Sequence, residues 1–444
     1  MSILLFAVIN SYLYPGTATA QEVSGSLKNY NAFQIYDDHE LLAGRNRLNL
    51  NLRKSTSFGG IVARIGIIDS YRSGGRSEIL PTELYVDWFT GNYDIRIGKQ
   101  EIIWGESNGS FVNDILTPVD LREFLTRDME DLRTGLTALN IQRYFGANSI
   151  QLVVAPTIQP DRLPEIDSRW FPLPVIQTPV PFSFIGYEKS SGLNDIQGAL
   201  RFAWRPALSL DVDLMLYHWA HPMPAYAIQP SFFSIPNFDF PEVRLTESYK
   251  TTPMAGYSVN WQPGDRFVFS AEGLFAHERL FTFLPVAVNR LEDALDDPVE
   301  ALQVLQEFEI RDDGYLLTKP WLQQMLGVQT DFKGATLGLQ AAIEIILNYE
   351  DRLLPQQYFP NLTFFGQRSF LRDRLQAAVI SRYNIFGEDY WLQLMGTYEI
   401  ADGFETSLGT NLFGGPSISP FYGHLSFEQF QSNSFLFGQV SVYF

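Results

Sequence analysis

Asn433-Ser434-Phe435-Leu436-Phe437-Gly438-Gln439-Val440-Ser441-Val442-Tyr443-Phe444 is the stretch whose reading decides the fold. Leu436, Val440 and Val442 share one face with the terminal Phe444, which marks an extended strand with two unlike sides. The same period of two recurs from residue 25 onward. Arg45, Arg47, Asn49, Asn51 and Arg53 oppose Leu48, Leu50 and Leu52, and Arg64 opposes Ile61, Ala63, Ile65 and Ile67. Glu83, Tyr85 and Asp87 alternate with Leu84, Val86 and Trp88. Asp211 and Asp213 alternate with Leu210, Val212 and Leu214, and Gln340 and Glu344 stand against Leu339, Ala341, Ile343 and Ile345. One such strand fits any half-buried sheet. A dozen in series, with no amphipathic helices to cover them, describe a wall with lipid on one side and water on the other.

The connections have the matching asymmetry. Ser55-Thr56-Ser57, Gly91-Asn92, Gly146-Ala147-Asn148, Pro206-Ala207, Pro263-Gly264-Asp265 and Lys333-Gly334 are tight, whereas 105–133, 159–193, 220–250 and 279–319 are long. A compact soluble domain rarely carries four structureless loops of that size. Although 45% of the 444 residues are hydrophobic and 14% aromatic, no apolar run beyond the first residues is long enough for a membrane-spanning helix. The chain is therefore expected to be all-β: a transmembrane antiparallel up-and-down β-barrel of about 16 strands. Counts from about 14 to 18 stay open, because 350–432 does not divide cleanly into up and down strands. The last strand should close on residues 25–36. It resembles the C-terminal signature of bacterial outer-membrane barrels, which ends in an aromatic residue. That resemblance implies the outer membrane as location, with its lipid, its lipopolysaccharide and the barrel-assembly machinery as partners.

Residues 1–20 read as a secretory signal, with apolar Ile3-Leu4-Leu5-Phe6-Ala7-Val8 and a small-x-small Ala18-Thr19-Ala20 before Gln21. A short N-terminal strand is the other reading. Residues 21–444 would then form a single barrel. The formal net charge of −18 disfavours nucleic acid as a partner. With no cysteine there is no disulfide or thiolate metal site. His218 and His221 make only a loose pair, and neither metal nor cofactor is called for. An enzyme is not expected, because the scattered histidines form no nucleophile–base set.

If polar faces point inward, the lumen carries Arg45, Arg47, Arg53, Arg64, Arg96, Arg201, Arg374 and Arg382. Against these stand Glu83, Asp87, Asp94, Asp211, Asp213, Glu272, Glu344 and Glu405. A one-sided anion ring is absent from that census, and pairing across neighbouring strands is the simpler expectation. The segment 105–133 holds Glu106, Asp114, Asp120, Arg122, Asp128, Asp131 and Arg133, which would make a polar eyelet if folded inward and a solvated surface loop if not.

Arg96-Ile97-Gly98-Lys99-Gln100, then Trp104-Gly105-Glu106-Ser107, then Leu116-Thr117-Pro118-Val119-Asp120, resembles an uncharacterised porin-like family of proteobacterial outer-membrane barrels. That family carries a Gly-(Arg/Lys)-Gln strand, a Trp-Gly-Glu-Ser step and an Asn-Pro-x-Asp loop; Thr117 stands here where the family has Asn. The resemblance implies a link to movement of hydrophobic compounds.

Two outer loops are apolar beyond ordinary need. One holds Trp170, Phe171, Phe182 and Phe184, the other Tyr226, Phe232, Phe233, Phe238 and Phe240. They would pack as a cap, receive an apolar ligand, or dock a partner protein. Residues 286–308 space Leu291, Leu295, Val299, Leu302 and Leu305 for one short amphipathic helix, its apolar face laid on that cap. The reading that gathers these features is an outer-membrane porin-like channel for passive transport of hydrophobic or amphipathic solutes. The alternative is a structural or anchoring barrel that docks a surface or periplasmic partner.

Overall fold

Residues of alternating polarity line up in β1 (Ala20–Gln34), β2 (Leu41–Thr56), β3 (Gly59–Ser70), β4 (Arg76–Thr90), β5 (Tyr93–Gln100), β6 (Leu136–Phe145) and β7 (Asn148–Ala155). After β8 (Phe182–Ile185) come β9 (Gln197–Ala207), β10 (Leu210–Ala220), β11 (Ala225–Ile235), β12 (Phe238–Ser248), β13 (Thr251–Trp261) and β14 (Phe267–Thr282). Then follow β15 (Leu316–Phe332), β16 (Ala335–Ile346), β17 (Tyr358–Phe370), β18 (Leu375–Asn384), β19 (Asp389–Ala401), β20 (Phe404–Gly414) and β21 (Phe435–Tyr443). The computed structural model describes residues 20–36, 39–72, 76–105, 111–126, 131–165, 168–171, 182–187, 195–235, 238–309, 311–416 and 426–444. The signal reading of 1–20 falls, but for Ala20, outside them.

Among the described residues, eighteen strands form one antiparallel ring, all but β8, β11 and β12. β1 closes it by pairing with β21 from Ser26↔Tyr443 to Gln34↔Phe435. The count is eighteen, at the upper end of the fourteen to eighteen that the sequence leaves open. Between 358 and 414 the inner face carries Trp391 and Phe413, both buried, and apolar residues on the inside blur the polar–apolar alternation by which strands are counted.

Strand parity sets the two faces. On β4, Leu84, Val86 and Trp88 are exposed while Glu83 and Asp87 are buried inside. On β21, Leu436, Val440, Val442 and Phe444 all lie on the exposed face, and Phe435 and Phe437 are buried on the other. Exposed Phe58, Trp88, Tyr93, Trp204 and Trp261 ring the end with tight turns, and Tyr71, Tyr358 and Tyr390 the opposite end, the two aromatic girdles of a membrane barrel. No helix among the described residues is long and apolar enough to cross a membrane; the crossings are strands.

The long connections lie at the end opposite the tight turns. Residues 220–250 are not a structureless loop. They form the β11–β12 hairpin, which β8 joins in parallel. Residues 286–308 are two helices rather than one, α1 (Val288–Asp296) and α2 (Pro298–Gln306). Proline cannot donate to the preceding turn. Asp297 accordingly turns extended, and its side chain accepts the Val299 N–H at 2.8 Å to start the second helix. The break re-aims the apolar stripe: Ala301 and Val304 are buried, but Val299 and Leu302 are exposed, not laid on the cap.

Candidate constriction of the lumen

The chain leaves the wall at Gln100, a buried residue whose amide donates to the Ala138 carbonyl and accepts from Asn140. The next N–H, of Glu101, is bonded to the Glu83 carboxylate on the inner face of β4 at 3.0 Å, so the chain turns inward. Thr117 then brackets Ile102, its hydroxyl accepting the N–H at 2.8 Å and donating to the carbonyl at 2.9 Å. Trp104 is buried against Tyr217 of β10, and its indole N–H donates to Gln151 of β7. Gly105 passes so close to Asp114 that a side chain there would crowd it.

From this base the segment 101–135 reaches two walls. On one side the Asn113 amide donates to the Tyr257 carbonyl at 2.9 Å and to Glu272 of β14 at 3.3 Å. On the other, Asp131 accepts from Arg47 of β2 at 3.1 Å and from Lys28 of β1 at 3.3 Å. Arg45 holds Glu123 at 2.6 Å and also bonds Thr126. Nine successive pairings separate β2 from β14 in the ring of eighteen. The segment therefore crosses the full width of the lumen.

A second connection clasps it. Arg162 donates its N–H to the Val119 carbonyl and accepts that of Leu121, both at 2.8 Å, and Asp161 accepts the Val119 N–H at 2.9 Å. Beside this, two guanidiniums and two carboxylates form a closed square. Arg122 bonds Asp120 at 2.7 Å and Glu78 at 2.8 Å, and Arg162 bonds Glu78 at 2.8 Å and Asp120 at 3.4 Å. The hydrogen bond and charge of Asp120 hold the Arg122 guanidinium protonated well beyond its ordinary value. Burial pushes the Asp114 carboxyl up although Arg133 bonds it, and it pushes Asp161 up to about 7.

Other inward charges pair across neighbouring strands. Arg96 bonds Asp87 at 2.7 Å, directly opposite in the register, and Arg64 reaches Glu83 and Glu101. Arg201 bonds Asp213, and Arg205 bonds both Asp213 and Asp211 near the turn after β9. Thus Arg45, Arg47, Asp114, Asp120, Arg122 and Asp131 meet in or around one crossing, with Arg64 beside it. Arg96, Arg201, Asp211 and Asp213 belong to wall pairs. Arg374 is in neither: it is exposed in the tight turn between β17 and β18. Glu106 and Asp128 lie outside the described residues. Lys28, Glu78, Asn113, Asp161 and Arg162 escape sequence reading, since each lies in a loop or alone on a strand with nothing periodic to mark it.

Above the crossing the aromatic residues form two groups. Trp170 packs on Phe430, Phe413 and Phe435 with ring centres 5.7, 6.1 and 6.3 Å away. Phe171 meets Phe184 edge-on at 5.1 Å, and Phe184 meets Tyr226 at 6.0 Å. The side chains of Phe182, Phe232, Phe233, Phe238 and Phe240 lie outside the description; their backbones run in β8, β11 and β12.

No protein-family model and no curated protein matches the chain in sequence. Solved structures match over nearly its whole length. Pseudomonas aeruginosa OccD3 (OpdP) superposes with a TM-score of 0.54 at 9% identity, over 97% of this chain and 93% of that one. Acinetobacter baumannii OccAB4 gives 0.54 at 8% identity, over 96% and 97%. Pseudomonas aeruginosa OccK2 (OpdF), solved in complex with glucuronate, gives 0.51 at 7% identity, over 96% and 97%. The chain thus shares their closed-barrel fold, with eighteen strands in its ring.

Proposed function

We propose that the chain is an outer-membrane channel that passes small amphipathic solutes passively through a lumen narrowed by residues 101–135. The crossing of that segment from Asp131 on Arg47 to Asn113 on Glu272 carries the reading. A barrel serving only as an anchor has no need of a charged bar across its lumen, whereas a selective pore needs one to set its size and polarity. The paired charges leave neither sign in excess there, which favours solutes that are polar without carrying many charges. The aromatic groups at the mouth add an apolar preference. The apolar half agrees with the Arg96–Asp120 resemblance, and one barrel of like fold, OccK2, was solved in complex with glucuronate.

Liposome swelling with solutes graded in size and polarity tests this. Swelling with small amphipathic solutes and a sharp size cut-off is expected; liposomes that do not swell with any solute would reject the channel. Docking of a partner protein is a second reading, favoured by exposed Val299 and Leu302 on α2. It predicts a stoichiometric partner recovered from solubilised membranes and lost on Val299→Asp.

A further inference from the structure

The inner face of the wall changes character at the outer end of β18–β21. Register sets Arg382 opposite Trp391, Trp391 opposite Phe413, and Asn411 opposite Phe435. Polar side chains therefore pass directly into aromatic ones on the same face. Trp391, Phe413 and Phe435 are joined by Phe427 and Phe430 from the connection before β21, and together they make a box that opens inward. Trp170 fills it. Trp170 comes from the connection between β7 and β9, and nine pairings separate β9 from β20. The box is thus filled by a side chain sent across the whole mouth. Around it, Asn433 donates to the Arg169 carbonyl at 2.7 Å, and Arg169 reaches Gln34 at 3.5 Å and Glu40 at 3.8 Å.

Beside the box lie four polar atoms with no hydrogen-bond partner among the described residues: Asn411 Nδ2, Arg382 Nε, Thr363 Oγ1 and Asn361 Oδ1. Asn411, Thr363 and Asn361 are 0%, 1% and 3% exposed. Buried polar groups are nearly always bonded, so a run of unbonded ones along one inner face marks a place where something polar belongs. The Asn411 amide is oriented by its own oxygen, which accepts from Trp391 at 2.8 Å and Gln393 at 3.2 Å. Its nitrogen is left to donate. Arg382 Nε donates too, and the Thr363 hydroxyl can do either.

We propose that this is a solute site occupied by the chain's own Trp170: the aromatic box takes a planar apolar ring, and Arg382 and Asn411 take an anionic head that accepts hydrogen bonds. The inference rests on the channel reading and names its solute class, small aromatic amphiphiles. A solute must displace Trp170 to enter, so the indole acts as a built-in competitor and lowers apparent affinity by the fraction of time it is in place.

The test is equilibrium dialysis of radiolabelled 2-naphthoate against the barrel in lipid nanodiscs, with empty discs subtracted. Trp170→Ala should bind naphthoate about tenfold or more tightly than wild type, and adding Arg382→Gln should remove most of that gain. Trp170→Leu serves if the alanine variant loses the heat-modifiable mobility of a folded barrel. Equal affinity in wild type and the Trp170 variant, or no effect of Arg382→Gln, would overturn the site. Naphthoate binding in a barrel without solute flux would uphold the site and reject the channel, so the two readings fail separately.

Discussion

Phe444 and Gly25 exchange both of their backbone hydrogen bonds, at 2.8 and 3.0 Å, and the Phe444 ring takes the space that a side chain at 25 would need. A Cβ on Gly25 would stand 2.8 Å from the ring and 2.4 Å from the Asn49 carbonyl oxygen. The Phe444 ring thus lies over the seam only because its partner has no side chain. Gly25→Val should destabilise the seam by about 1–3 kcal/mol. The expected result is a lower temperature for loss of heat-modifiable mobility on gels, with Gly438→Ala, next to an ordinary Leu408 contact at 3.4 Å, as the milder control.

Asp131 is held by two cations, Arg47 and Lys28, in a setting where the Arg47 and Asp131 side chains are only 6% and 13% exposed. Removing one partner of a buried ion pair costs about 3 kcal/mol or more. Asp131→Asn should therefore free the returning arm of the crossing and raise single-channel conductance while the barrel stays folded. An unchanged conductance would mean that the ion pair does not hold the bar.

Acidification should tighten the clasp between the two inward connections. The Asp161 carboxyl, raised to about 7 by burial, lies above the ordinary carboxylate value of about 3.9. Above pH 7 it is charged and its burial opposes docking on Val119. Between pH 7 and about 4 the docked segment takes up a proton that a released one would not, so docking gains stability as pH falls through this window. Conductance should decline from pH 8 to pH 5 in the wild type. Asp161→Asn should be flat across that range and resemble the wild type at low pH.

Asp297 caps α2 through the Val299 N–H. Asp297→Ala should cost about 1 kcal/mol locally, seen as faster amide exchange at Val299 to Ala301 with no change in barrel stability.

The fold was legible because a membrane wall writes itself into every strand: Leu84, Val86 and Trp88 outside, Glu83 and Asp87 inside. The closing strand was legible for the same reason at Leu436, Val440, Val442 and Phe444. The count was harder, since Trp391 and Phe413 face inward and mimic the lipid side. The crossing was legible as a charged segment, and Arg45, Arg47 and Asp131 as inward charges, but not every anchor. Asn113 is one amide among many in sequence, and Arg162 follows Asp161 in a loop without pattern. Nothing in the chain says that their partners stand far across a ring, because that distance exists only once β1 and β21 have closed it. Arg374 shows the converse. Its parity suits the lumen, yet it sits where β17 turns into β18.

The central claim is that residues 101–135 bar an otherwise continuous channel. Single-channel recording of the purified barrel in planar bilayers, wild type beside a variant with Asn113→Ala and Asp131→Asn together, tests it most directly. Discrete conductance steps are expected in the wild type and larger steps in the variant, whose bar has lost its contacts on both walls. Silent bilayers in both, or steps of equal size, would contradict it.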